Sequence, residues 1–468
     1  MASTQRSRTM ILKAALTQPV DAAPIGLFRI FFGLLMVVEG LRYWAYGRIA
    51  RYYIEPTFFF SFIEGIRPVG SAMYLVFVLM GAVALLLAVG YYYRAASALF
   101  FVLYTYTFLL DKAQYNNHYY LICLLAFLFV MTDANRAFSI DAVRRRLPSR
   151  VPAWQIYVFR LQICIVFFYA GVAKINSDWL AGEPVRAWLA ARSDYFLIGP
   201  LLIQEWFVYA YAYGGLLFDL FIGFALLWAP TRGVGFVLLI GFNVLNKWFY
   251  NIGIFPYLTM ATFVLFVNAS TIRRWFDRWP RTRAVGRAVM IDLLGSRLDA
   301  RGSDSSEVGP IGKWWGRVRI RATAFLMAAF VLVQLVAPLR HFAIRGHVGW
   351  TDEGHNFSWR MKLRDKKASK IEFYTRDPFT GDTRDLSTAE LNSRQKRKMS
   401  TRPHMILQYA KHLAENLQKE GVENPAVYVR ASVSLNSRDP KPLIDDQVNL
   451  AAVQYRRFVH NDWITLFD

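Results

Sequence analysis

Three short polar clusters interrupt the apolar runs of this 468-residue chain, and they hold residue types that could do chemistry. The first is FFYAGVAKINSDWLAG, residues 167–182, with Lys174, Asp178 and Trp179. Burial disfavours an ammonium, so a lysine in a protein-lined pocket becomes a usable general base near neutral pH. The plainer reading is a lysine whose stem lies in the apolar layer while its head reaches water. Trp179 reads as an interfacial belt residue or as a platform for a ligand. The second cluster is DKAQYNNHYYL, residues 111–121, with Tyr115, Asn116, Asn117 and His118. His118 suits acid–base work or donation to a carboxylate; the alternative is an interfacial histidine bonded to a backbone carbonyl. Asn116 and Asn117 would orient it or cap a helix start. The third is FNVLNKWFYNIGIFPY, residues 242–257, where Asn243 and Asn246 have the same two readings.

The elements that must position these residues are membrane helices. The chain is 55% hydrophobic and 16% aromatic. About nine apolar runs approach the ~20 residues needed to cross a bilayer. They fall at residues 25–41, 72–91, 96–110, 117–131, 154–172, 207–228, 233–249, 253–267 and 322–336. The stretch 196–206 is too short to span and reads as re-entrant or interfacial. The first run is too long for a secretory leader and is expected to remain as an anchor. The formal charge of +22 sits mostly in loops between these runs. That pattern fits positive-inside loops better than a nucleic-acid groove. With the N-terminus inside, the strongest Arg clusters all fall inside, and nine spans leave the C-terminus outside. All three polar clusters then lie at outer helix ends. Arg29, Glu39, Arg160 and Asp219 lie in or near span interiors, where charge is costly. They read as internal pairs, for example Arg160 with Asp219; the alternative is a proton or substrate path.

From about residue 340 the composition becomes that of an extramembrane domain. Residues 370–374 and 426–435 alternate as strands, and residues 404–419 carry apolar side chains at helical spacing, with Gly421 suited to the helix end. Residues 299–312 read as a flexible inner loop, and the basic run 394–398 as a solvated surface. The expected fold is a polytopic α-helical membrane protein with about nine transmembrane helices (residues 1–339). A mixed α/β or β-rich extramembrane domain follows at residues 340–468. Cys123 and Cys164 both lie in spans, which excludes a disulfide framework and a cysteine zinc site. There is no P-loop or HExxH motif. His341, His347 and His355 make a weak metal constellation, and no metal is expected.

The order of motifs carries a resemblance. LDKAQYNNHYYLICLLAFLFVMTDANRAFSIDA, FYAGVAKINSDWLAG, NVLNKWFYNIGIFPYLTMA, FSWRMKLRD and KIEFYTRDPFTGD stand in sequence over nearly the whole chain. Together they resemble the vitamin K-dependent γ-glutamyl carboxylases, membrane proteins with an HTTM domain. The resemblance implies that Lys174 is the base that deprotonates vitamin K hydroquinone. With dioxygen the quinol yields a strong oxygen base and the epoxide, and a substrate glutamate is then carboxylated by carbon dioxide. It implies that His118 holds the glutamate or assists carboxylation. It places Trp359 and Met361 near the quinone and peptide, Arg192 as a carboxylate partner, and Tyr115, Asn116, Asn117, Asn243 and Asn246 in the binding site. Implied partners are the bilayer, a glutamate-containing peptide or protein and a quinone-reducing system, with no nucleic acid. The sequence also departs from the vertebrate pattern. Ala173 replaces a second lysine, Asn176 an acidic residue, Tyr115 a tryptophan and Asn243 a histidine. The stapling cysteines are missing, and the chain ends at Asp468, short of the vertebrate C-terminal region. These departures touch substrate recognition and coupling rather than quinol oxidation. Two further hypotheses therefore stand beside the carboxylase: a quinol epoxidase or oxidase without carboxylation, and a non-enzymatic receptor or transporter. The missing cysteines and basic inner loops point to a bacterial inner membrane rather than the endoplasmic reticulum.

Overall fold

The computed structural model describes residues 10–11, 13–250, 253–278, 310–377 and 380–467. Most of the expected inner loop at 299–312 thus lies outside the described residues. The membrane part opens with a short strand, β1 (Pro19–Asp21), and four helices: α1 (Ala23–Ala45), α2 (Met73–Val89), α3 (Tyr93–Leu109) and α4 (Asn117–Met131). Strand β2 (Arg150–Pro152) leads into α5 (Trp154–Lys174), α6 (Glu205–Leu227) and α7 (Arg232–Tyr250). Then come α8 (Phe255–Thr262), α9 (Ala269–Asp277) and α10 (Pro310–Val336).

The helices fall where the apolar runs predict, but the count of nine spans is not reached. Among the described residues, five helices are long and apolar enough to cross a membrane. A sixth arises if α8, its following 3-10 turn and α9, bent by 102°, are counted as one span. The physical reason is length and polarity. Helix α3 has 17 residues and α4 has 15. At 1.5 Å per residue they rise roughly 22 to 26 Å, short of the ~30 Å hydrocarbon layer. Helix α7 carries Asn243, Asn246 and Lys247 near its end. The stretch 196–206 does not span; it holds the four-residue helix Gly199–Leu202 and exposes Phe196 and Leu197.

One end of the bundle gathers the loops read as inner. β1 pairs antiparallel with β2, with Val20 opposite Val151. Arg273 of α9 donates to both carboxylate oxygens of Asp21, at 2.5 and 2.8 Å. Arg29 is fully buried and donates to the carbonyls of Ala134 and Phe138. Arg160 donates to the Leu265 carbonyl at 2.7 Å. The expected pairing of Arg160 with Asp219 is therefore wrong. A guanidinium inside an apolar layer is satisfied equally well by backbone carbonyls, and sequence spacing does not reveal which it meets.

Helices α5 and α6 approach closely. A Cβ on Gly171 would stand 2.7 Å from the Leu220 side chain, and one on Gly223 would stand 3.1 Å from Cys164. Glycine at these points lets the two backbones touch. This contact brings the end of α5 beside the middle of α6.

The C-terminal domain is a four-stranded antiparallel sheet in the order β4-β3-β5-β6: β3 (Lys366–Arg376), β4 (Thr383–Leu386), β5 (Tyr428–Leu435) and β6 (Lys441–Pro442). Val429, Ala431, Val433 and Leu435 alternate inward along β5, as the period-two pattern predicts. Helices α11 (Ser393–Met399) and α12 (Pro403–Lys419) pack on it. Gly421, at φ +93°, donates to the Gln418 carbonyl and Val422 to that of Leu417. This pair of bonds closes the end of α12 as a glycine-dependent stop.

The basic run 394–398 is not simply solvated. Asn392 and Gln395 form a capping box at the start of α11. Arg394 donates to the Ala113 carbonyl at 3.1 Å, and Gln395 to Phe58 O and Asp111 Oδ2. Phe60 and Ala113, from the membrane part, sit fully buried in the core of the C-terminal domain. Helix α11 therefore docks one part on the other.

Burial pushes the Asp111 carboxyl up to about 6, against hydrogen bonds from Ala113 N–H and Gln395 that pull it down. A carboxyl raised in the folded state contributes stability that is complete below its ordinary value, near 3.8, and lost as pH rises through about 6. The thermal midpoint of Asp111→Asn relative to the parent protein should therefore rise between pH 4 and pH 7. A difference that is flat over that range would show that Asp111 does not titrate there.

Candidate functional site

Lys174 is the last residue of α5, and the glycine contact with α6 sets Asp219 beside it. Lys174 is 6% exposed and Asp219 3%. The ammonium bonds the Asp219 carboxylate and reaches the Ala170 carbonyl at 3.4 Å. Burial of this degree rules out the snorkelling reading. The Trp179 ring lies 5.2 Å from the ammonium. Trp179 is itself buried and fixed by its indole N–H to the Ala212 carbonyl at 2.9 Å. Asn176 accepts from the Trp179 backbone N–H and so sets the turn that carries the ring. Trp179 therefore packs, buried, against the lysine head rather than sitting as a belt residue.

The second cluster does not cap its helix. Asn116 holds the N-cap position of α4 but makes no capping bond. Asn117 instead donates to the Arg360 carbonyl of the C-terminal domain at 3.2 Å and accepts from the Tyr115 hydroxyl at 2.8 Å. That hydroxyl in turn accepts from the Phe357 N–H at 2.7 Å. The His118 ring packs edge-on to Tyr119 and faces Phe255 at 6.1 Å. Next to it Tyr120 stacks on Trp359 at 5.1 Å and accepts from Gln334 at 3.0 Å. Trp359 is fully buried, yet its indole N–H has no partner. Met361 packs, partly buried, against the same apolar core.

The third cluster serves packing in this geometry. Asn243 donates to the Leu239 carbonyl and accepts from Thr259, which ties α7 to α8. Asn246 is buried on the same helix. Neither caps a helix, because both lie inside α7. Arg192 donates to the carbonyls of Trp188 and Phe249. His341 bonds the Pro338 carbonyl and meets Arg360 at 3.3 Å. Among the described residues no three His, Cys, Asp or Glu side chains assemble as a metal group.

One segment of the C-terminal domain joins the first two clusters. Trp359 lies with Tyr120, while Leu363 is buried with Ala173 and Trp179. Within this stretch Asp352, Phe357, Trp359 and Lys362 have φ between +49° and +63°. Such conformations disfavour side chains and persist where surrounding structure imposes them. A second tie holds the same region. Asp178 accepts from Arg438, at 2.5 and 3.0 Å, and from Asn436 at 2.5 Å. Burial works to raise the Asp178 carboxyl, but the bonds from Arg438 and Asn436 outweigh it and hold the carboxyl below its usual range.

Two partners in this region were not assigned by sequence reasoning. Asp219 was assigned to the wrong cation, and Arg438 was not singled out. Asp219 carried a signal, since it is the one acid inside a 23-residue apolar helix after its first turn.

Fold and site together define a multi-pass membrane protein whose C-terminal domain is clamped over a buried lysine–carboxylate pair. Residues 17–270, more than half of the chain, match the HTTM domain family, and residues 319–468 match the family described as vitamin K-dependent gamma-carboxylase, lumenal domain. The chain belongs to the vitamin K-dependent γ-carboxylase family. No solved structure matches it.

Removing one partner of a buried pair strands the other charge, at about 3–5 kcal/mol. Asp219→Leu should therefore lower the thermal midpoint strongly, and adding Lys174→Leu should recover most of the loss. A four-variant cycle by thermal unfolding in detergent checks this. Additive losses would mean that the two groups do not interact.

Proposed function

We propose that this protein oxidises a vitamin K-type hydroquinone with dioxygen to the epoxide and couples this to carbon dioxide addition at a glutamate side chain. The observation that carries the reading is the buried Lys174–Asp219 pair, walled by Trp179 at the family's lysine position. Quinol and dioxygen together supply the strong base that no side chain provides. The residues suit such a co-substrate: a water-poor cationic group, aromatic faces at Trp179 and Trp359, and an indole N–H left without a partner. Lys174 Nζ, once its own proton has left the pair to solvent, takes up the quinol proton, and the Asp219 carboxylate then holds the ammonium in place. Trp179 excludes water, which would quench a strong base. His118 orients the glutamate carboxylate. The C-terminal domain faces the outside of a bacterial inner membrane, so that peptide arrives from water and quinol from lipid.

A second reading is a quinol epoxidase without carboxylation. It is favoured by the engagement of Asn117, Tyr115 and Arg192 with backbone groups, which leaves them less available to a peptide carboxylate.

The test uses purified protein in nanodiscs with reduced vitamin K, dioxygen, labelled bicarbonate and a glutamate peptide. Epoxide and peptide-bound label should both form, and Lys174→Ala should reduce both by roughly 10²–10⁴-fold, the contribution of a general base. Full epoxidation by Lys174→Ala would remove the lysine from the chemistry. His118→Ala should reduce the label more than the epoxide. Epoxide without label in the parent protein would establish the second reading, and neither product would remove both.

A further inference from the structure

The C-terminal domain buries cations that the reaction described above does not use. Arg360 and Arg402 are each 8% exposed, and Asp352 is 5% exposed. Arg364 bonds Asp352 and the Gly349 carbonyl. Lys366 bonds the Trp350 carbonyl, with its ammonium 5.3 Å from the Trp350 ring. These groups form one electrostatic neighbourhood: Arg364, Lys366 and Arg402 all act on Asp352, and Arg402 and Arg364 act on Lys398. Arg360 is coupled to Asp352 as well, so three guanidiniums, which stay charged, and the Lys366 ammonium share one carboxylate. The Arg402 charge, then burial, hold the Lys398 ammonium well below its usual range. Burial, reinforced by Lys112, Arg402 and Arg364, holds His404 down at about 3.

The cluster is also unsatisfied. Arg402 Nη1, Arg360 Nε, His404 Nε2, His355 Nδ1 and Asp352 Oδ2 are buried without a hydrogen-bond partner. Native proteins rarely leave such groups bare, and several together call for a bound water, ion or small ligand. The charge excess calls for an anion. Arg402 and Arg360 offer donors, while Asp352 Oδ2 offers an acceptor in the same electrostatic neighbourhood. A simple carboxylate has acceptors only and would meet Asp352 with like charge. Bicarbonate has two oxygens that accept from guanidiniums and one O–H that can donate to Asp352.

We propose that the Arg360–Arg364–Arg402 cluster, with Asp352 as its acceptor, is a bicarbonate-binding site. It lies one backbone bond from the NNH corner, since Asn117 donates to the Arg360 carbonyl. The inference rests on the carboxylase reading only for the use of the ligand; binding is independent of turnover.

The experiment is thermal unfolding of the full chain in detergent, without quinol, at fixed pH. Sodium bicarbonate is compared with sodium acetate and sodium chloride at equal ionic strength. Bicarbonate should raise the midpoint saturably and severalfold more than either other salt. Arg402→Gln should abolish that response while raising the salt-free midpoint, because it removes a repelling charge; a purely structural arginine would lower it. Arg402→Lys should restore most of the response. If Arg402→Gln gives no cooperative transition, Lys398→Gln is used instead and should weaken the response severalfold. Equal shifts from all three salts, an acetate shift matching that of bicarbonate, or a full response in Arg402→Gln would overturn the proposal. None of these results bears on epoxide formation, so the two readings fail separately.

Discussion

An ammonium in a hydrocarbon layer has to be paired, and the pairing of Lys174 with Asp219 sets the geometry around it. Desolvation opposes both charges, and their mutual attraction compensates only at contact distance. Contact in turn requires two helix backbones to touch, which Gly171 and Gly223 permit. Trp179 then closes the pair off from the surrounding space. A helix pair that could be exchanged for any other apolar pair is thereby fixed in register. The same constraint keeps the lysine from reaching water.

The C-terminal domain is attached by polar ties at several separate points in addition to apolar contacts at Phe60, Trp359 and Leu363. Helix α11 grips the loop that follows α3 through Arg394 and Gln395. Arg438 grips Asp178 just beyond Lys174. Asn117 and Tyr115 grip the segment around Phe357 and Arg360. Hydrogen bonds to charged groups are among the stronger ones, and these ties are far apart in sequence. They over-determine how the domain sits on the membrane part.

Much of this architecture was legible in the sequence, and the failures are physical ones. The apolar runs located the helices, and the alternation of Val429, Ala431 and Val433 located a central strand. Among the described residues the nine spans are not confirmed, because α3 and α4 are apolar but short, and a hydropathy window does not register helix length. Asn116 and Asn117 sit at a helix start and Asn243 and Asn246 inside the last turns of α7, and no capping bond is made by Asn116. Asparagine serves a cap and a tertiary hydrogen bond with the same amide, and only the fold selects between them. The lysine was legible from its setting; its partner was not, because pairing across helices depends on rotation about their axes.

The left-handed residues of the segment from Asp352 to Lys362 have a consequence for how the molecule comes together. Phenylalanine, tryptophan and lysine have no local preference for that backbone region, and Phe357, Trp359 and Lys362 adopt it within six positions, shortly after Asp352. Cut loose as a peptide, the segment would not hold its path. Its shape belongs to the interface: Tyr115, Asn117 and Tyr120 on one side and the apolar neighbours of Ala173 on the other mould it. The two halves of the molecule therefore complete each other, and the strip between them acquires its form only at the moment of docking.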